Sequence, residues 1–175
     1  MMAKIIIFLL IAAEIAFSQS FSLEGGANYF LGDLQKEIKI SPYAAADFGY
    51  ELSDYTELYL QGAFSYLKLK KNSDFYGLYQ FLGRTGIETP EHLLKPVVIG
   101  TGISMATVRG NNATPNADKY FLSDNETEFG WHIRLELSLF RIENFKFSTR
   151  FYYDQIWTKP KNSYLLHGGF SLGWK

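Results

Sequence analysis

Six charged residues stand at the polar positions of alternating apolar and polar segments: Glu24, Asp47, Arg84, Arg134, Glu136 and Arg150. Three guanidiniums set against three carboxylates can pair with one another, line a polar path, or supply a general acid and base. An unpaired buried ion costs several kcal/mol, so equal and opposite charges on one face point first to a mutual ion-pair network. His132 and His167 fall on the same polar face, on different strands and at different depths, where each can meet a carboxylate. A metal needs further ligands at tight spacing, and two separated histidines do not provide them. His92 lies in a turn. No metal site and no cofactor is therefore assigned.

A second set of candidates lies in the polar segment 109–126. There Tyr120, Phe121 and Leu122 place three large side chains among Asn, Asp and Thr. Binding residues favour loops on a rigid scaffold, so these three are the candidates for contact with a surface ligand or protein partner. Asp118, Asp124 and Glu126 lack the ordered spacing of a calcium loop.

The elements that must position these groups follow from the period of the sequence. Between 127 and 140, Phe129, Trp131, Ile133, Leu135, Leu137 and Leu139 alternate with Glu128, Gly130, His132, Arg134, Glu136 and Ser138. A period of two is the signature of a strand with unlike faces. It resumes after a short turn at 142–144, with Phe145, Phe147, Thr149, Phe151, Tyr153 and Trp157 against Lys146, Ser148, Arg150, Tyr152 and Asp154. It returns in Tyr164, Leu166, Phe170, Leu172 and Trp174 against His167, Gly169, Ser171 and Gly173. Weaker versions precede these: Phe21, Leu23, Ala27 and Tyr29; Phe48, Tyr50 and Leu52; Leu58, Leu60, Phe64 and Tyr66; Phe75, Tyr79, Phe81 and Ile87. A glycine-rich segment at 96–108 takes Val97, Ile99, Ile103 and Met105 as its apolar side. The chain reads as an all-β meander of eight antiparallel strands.

Residues 1–18 are of another kind. Lys4 precedes the unbroken apolar run 5–13, and Ala16 and Ser18 occupy the small-residue positions before Gln19. This is the pattern of a cleaved secretory signal peptide, and the run is too short for a spanning helix. The expected organisation is a signal peptide at 1–18 and one barrel domain at 19–175.

Composition narrows what such a meander can be. The 17 Lys plus Arg nearly balance 18 Asp plus Glu, which excludes a broad nucleic-acid surface. Without cysteine there is no disulfide framework, thiolate metal site or cysteine nucleophile. Mean hydropathy is −0.09, too low for a bundle of membrane helices, yet aromatics reach 17%. Eight strands can close as a soluble barrel with its apolar side chains inside, or as a transmembrane barrel with them outside. The polar face mixes Gly, Ala and Ser with balanced charge, as a narrow lumen requires. The apolar face ends in aromatics at both rims: Tyr29, Tyr66, Phe75, Trp131, Tyr153, Trp157 and Tyr164 at one, Phe21, Tyr50, Phe145 and Trp174 at the other. Aromatic girdles favour the bilayer, and without a spanning helix only a closed barrel satisfies its backbone there.

With these features the chain resembles the small eight-stranded outer-membrane barrels of the OmpA/OmpX-like, porin-like type. The stretch Leu94-Lys95-Pro96-Val97-Val98-Ile99-Gly100-Thr101-Gly102-Ile103 is similar to a turn and strand often placed in their middle. The end, His167-Gly168-Gly169-Phe170-Ser171-Leu172-Gly173-Trp174, is similar to the family's assembly signal, although Lys175 follows the aromatic. The resemblance implies recognition of His167, Gly169, Leu172 and Trp174 by the barrel-assembly machinery. It also implies a place in the outer membrane of a Gram-negative envelope, among lipid and lipopolysaccharide, with the N-terminus in the periplasm. Turns at 53–55, 89–95 and 142–144 would then be periplasmic, and connections at 31–40, 70–74, 109–126 and 158–162 external.

Some barrels of this size modify lipid A, which calls for a serine, a histidine and a carboxylate within reach of lipid. Ser138 and Ser171 are assigned to the lumen instead. The expected function is non-enzymatic: a barrel with a side-chain-filled lumen that contributes to envelope structure or surface interaction. An adhesin-like barrel binding through its external loop is the alternative, and a lipid-A-modifying enzyme the third.

Overall fold

A computed structural model describes residues 20–68, 70, 78–110, 127–157 and 162–174. The signal segment 1–18, Phe75, the loop candidates Tyr120, Phe121 and Leu122, the acidic residues Asp118, Asp124 and Glu126, and Lys175 lie outside the described residues.

The strands are β1 (Ser20–Leu31), β2 (Ser41–Ser53), β3 (Thr56–Leu67), β4 (Leu78–Glu88), β5 (Val97–Gly110), β6 (Thr127–Ile142), β7 (Phe145–Ile156) and β8 (Ser163–Trp174). Each pairs antiparallel with its sequence neighbours, and β8 pairs with β1 to close the barrel. The connections β2–β3, β4–β5 and β6–β7 lie at one end, the turn end. Those of β1–β2, β3–β4, β5–β6 and β7–β8 lie at the other, the loop end, which carries the three longest.

Strict alternation sets the facing. Leu23, Leu60, Phe81, Ile103, Phe129, Leu135, Phe151 and Phe170 are exposed on the outside, while Ser22, Gln61, Arg84, Ser104, Arg134, Arg150 and His167 are buried inside. On β5, Ile99, Ile103 and Met105 face out and Val98, Ser104 and Ala106 face in, as the sequence suggests. An apolar exterior around a polar interior inverts a soluble barrel and makes this a transmembrane one. No described helix is long and apolar enough to cross a membrane; the strands do so. Aromatic pairs mark both rims: Tyr153 with Trp131 and Tyr164 at the loop end, Phe21 with Trp174 and Phe48 at the turn end.

A bulge alters the alternation once in β6. The register slips between Ser138 and Phe140, so Leu139 and Phe140 both lie exposed on the outside. Arg141 then returns to the row opposite Lys146. Bulges re-aim side chains in this way.

Tight closure between β1 and β8 uses paired glycines. Gly26 and Gly169 are direct partners, and a Cβ on Gly26 would lie 2.5 Å from the Gly169 Cα. Gly32, with φ of 73°, starts the 3-10 turn Gly32–Lys36 in a conformation that side chains disfavour. That turn folds Leu34 and Ile38 back over the loop end, where backbone bonds from Lys39 to Lys68 and from Lys70 to Glu37 hold it.

The lumen departs from the expected small and polar lining. Its loop-end half is an apolar core of Phe30, Leu34, Ile38, Leu67, Leu82, Val108, Ile156 and Leu165. Fully burying side chains of this size stabilises by about 1.5–3 kcal/mol each. The charged residues occupy the rest.

Candidate functional site: the charged lumen

All six charged residues singled out in the sequence are buried in the lumen. β2 brings Asp47, β1 Glu24, β4 Arg84, β6 Arg134 and Glu136, and β7 Arg150. Arg134 lies at the centre of the turn-end layer. Its Nη1 is 3.0 Å from Asp47 Oδ2 and 3.1 Å from Glu88 Oε2, and its Nη2 is 3.0 Å from Glu136 Oε2. Arg150 Nε donates to the same Glu136 oxygen at 2.5 Å, and its Nη1 donates to Ser22 Oγ at 2.7 Å. Lys146 reaches the other Glu136 oxygen at 2.5 Å.

Gln61 joins this layer to the next. Its Nε2 donates to Tyr152 Oη at 2.7 Å and to Glu24 at 3.2 Å, while its Oε1 accepts from Arg84 Nη1 at 2.5 Å. Glu24 also accepts from the Tyr43 and Tyr152 hydroxyls. The Tyr152 ring receives the Arg84 guanidinium 4.2 Å from its centroid, and Arg134 lies 5.9 Å from the same ring. Arg134 stands 4.7 Å from the centroid of Tyr59.

The second layer centres on Asp154. Arg84 binds it with two parallel bonds of 3.0 and 2.7 Å. Ser104 Oγ is 2.7 Å from Asp154 Oδ1 and 2.9 Å from His132 Nδ1, and Tyr59 Oη reaches His132 Nε2. His167 Nε2 lies 3.3 Å from the second Asp154 oxygen. His167 thus lies against the carboxylate directly and His132 reaches it through Ser104, so the two histidines, from different strands, share one acidic partner. A neutral His132 satisfies the whole chain: Tyr59 donates to Nε2, Nδ1–H donates to Ser104, and Ser104 donates to Asp154. That order commits the serine's proton to the carboxylate, the reverse of an activated nucleophile.

Alternation puts Asp154, and Glu88 with the parity of Arg84, on the polar face, but neither is counted in the charged set. Sequence reasoning missed the inward Tyr43, Tyr59 and Tyr152 as partners altogether. The signal for the two acids was present in their parity: each lies an even number of residues from an inward arginine, Arg84 or Arg150.

At the turn end the network opens into a cavity of about 250 Å³. Asp47, Val98, Arg134, Glu136 and Arg150 line its depth, and Glu57, Glu91, Lys95, Arg141 and Lys146 its rim. Glu91 belongs to the one-turn helix α1 (Glu91–Leu94) between β4 and β5. Partial burial opposes its charge, but Lys146 and Arg141 outweigh that and hold its carboxyl below the usual value.

The four residues of the terminal signal divide between the faces of β8. His167 and Gly169 face the lumen, and Leu172 and Trp174 face outward.

The barrel is similar throughout to solved outer-membrane barrels. Neisserial surface protein A superposes with a TM-score of 0.65 at 12% identity, covering 89% of this chain and 96% of that one. The fold is that of the small eight-stranded outer-membrane barrels. Two Pseudomonas aeruginosa structures are similar as well. The outer membrane protein OprG has a TM-score of 0.57 at 13% identity, covering 90% of this chain and 96% of that one. The N-terminal barrel domain of OprF has a TM-score of 0.53 at 13% identity, covering 90% and 98%. No protein-family model and no curated protein matches the sequence.

Proposed function

We propose that the protein is a non-enzymatic barrel of the bacterial outer membrane, with a lumen closed by its own side chains, that supports envelope structure or surface interaction. The observation that carries this reading is the filling of the lumen in two layers: an apolar plug at the loop end and a cross-paired charged network behind it. A narrow eight-stranded barrel has little interior beyond its own side chains. The carboxylates that could do acid–base chemistry are paired with arginines, His132 is bonded to Tyr59 and Ser104, and the buried Ser104 has its proton engaged.

In this reading residues 1–18 are removed on export and the turn end faces the periplasm, because longer loops belong outside. The lumen ion pairs hold the interior shut, and His167, Gly169, Leu172 and Trp174 present the last strand to the assembly machinery. Lipid and lipopolysaccharide surround the barrel. Tyr120, Phe121 and Leu122 belong to the external connection that would meet a surface ligand.

Membrane fractionation and lipid-A mass profiles test the proposal. The protein should appear in the outer-membrane fraction as a heat-modifiable band, with lipid A identical in its presence and absence. A soluble protein, or a new lipid-A species that requires it, would overturn the reading.

A further inference from the structure

None of the four residues of helix α1 is buried; the N-cap Pro90, just before it, is, and makes no side-chain hydrogen bond. Backbone bonds anchor the connection at its two ends, from Thr89 N to Ile99 O at 2.9 Å and from Ser138 N to Pro96 O at 2.8 Å. Between those anchors, beside the buried Pro90, Glu91 makes polar contacts with the facing wall. Its Oε2 lies 2.6 Å from Arg141 Nη2 and 3.2 Å from Lys146 Nζ, and its Oε1 accepts from Ser138 Oγ at 3.1 Å. The β6 bulge is what turns Arg141 toward this contact.

Glu91 and Lys95 border the cavity that Asp47, Val98, Arg134 and Glu136 line. A connection whose helix buries no side chain, fixed by backbone bonds at its ends and by Pro90 and one carboxylate between them, is a locally weak element over an internal space. We propose that the β4–β5 connection is a releasable cover on this cavity, with Glu91 as its latch. Release admits water and small polar solutes to the charged half of the lumen, while the apolar plug at the loop end stays closed. The barrel is then a blind vestibule with a hinged rim.

The chain contains no cysteine, so single thiols report access cleanly. Val98→Cys places one on the vestibule wall and Ala106→Cys one deeper in the barrel, both at buried positions. Each is combined with Glu91→Ala, and the folded form in detergent micelles, verified by heat-modifiable mobility, is labelled with a charged maleimide. Loss of the latch should raise the labelling rate at Val98→Cys up to about fivefold and leave Ala106→Cys unchanged. An unchanged rate at Val98→Cys would overturn the proposal. An equal rise at both positions would do so too, because it would mean general loosening.

Discussion

Arg84 and Asp154 meet side-on across the lumen, Nε to Oδ1 at 3.0 Å and Nη2 to Oδ2 at 2.7 Å, with both side chains wholly buried. One comes from β4 and the other from β7, seventy residues later, so the pair spans the barrel between strands that are not neighbours. Two parallel charge-assisted bonds fix direction as well as distance. Ser104 and His167 complete the surroundings of the carboxylate.

Breaking that pair on one side should be worse than replacing it on both. Asp154→Ala leaves a buried guanidinium without its carboxylate and should cost about 3–5 kcal/mol. Arg84→Met combined with Asp154→Leu should recover most of that loss. Reversible urea unfolding in micelles, followed by tryptophan fluorescence, measures both. A double variant as unstable as Asp154→Ala would contradict the pairing argument.

The sequence made the barrel legible because six or more residues in β6, β7 and β8 keep period two without interruption. It also placed the charges: Arg134 sits between the outward Ile133 and Leu135, Glu24 follows the outward Leu23, and Arg150 precedes the outward Phe151. The apolar plug was hidden by the same reasoning. Phe30 lies between Tyr29 and Leu31, and Leu165 between Tyr164 and Leu166, so both faces are apolar there and alternation carries no contrast. That His132 and His167 converge on Asp154 depends on the registers of β6, β7 and β8, which a single strand's pattern does not contain.

The plug yields its own expectation. Phe30 is 1% exposed and packs with Leu34, Ile38 and Leu165. Phe30→Ala should destabilise by about 3–5 kcal/mol through lost burial and the cavity left behind. The same unfolding experiment reads it. A loss below about 1 kcal/mol would show that the loop-end half is not packed as a core.

Facing can be tested from the outside. Leu135 stands on the outer surface in the middle of β6, and Leu139 stands nearer the turn end. Leu135→Lys should cost about 2–4 kcal/mol in a bilayer and Leu139→Lys about 0–1 kcal/mol. Equal costs at the two positions would place the membrane elsewhere on the barrel.

The Glu91 contact has a defined pH dependence. Lys146 from β7 and Arg141 from β6 face its carboxylate, Ser138 donates to it, and Glu136 shares the same lysine. Its folded pKa is lowered, so its stabilisation is fully present above the unfolded value and is lost as pH falls through the folded one. The stability difference between the parent and Glu91→Gln should therefore be largest at neutral pH and vanish in acid. For a partly exposed contact it should be no more than about 1 kcal/mol. A difference that grows on acidification would reverse the assigned sign.

The lumen filling is tested most directly by single-channel recording of the folded protein in planar bilayers. With Phe30, Leu165 and their neighbours packed at one end and Arg134, Asp47 and Glu136 paired behind them, no large stable conductance is expected. Reproducible porin-sized steps would contradict a barrel closed by its own side chains.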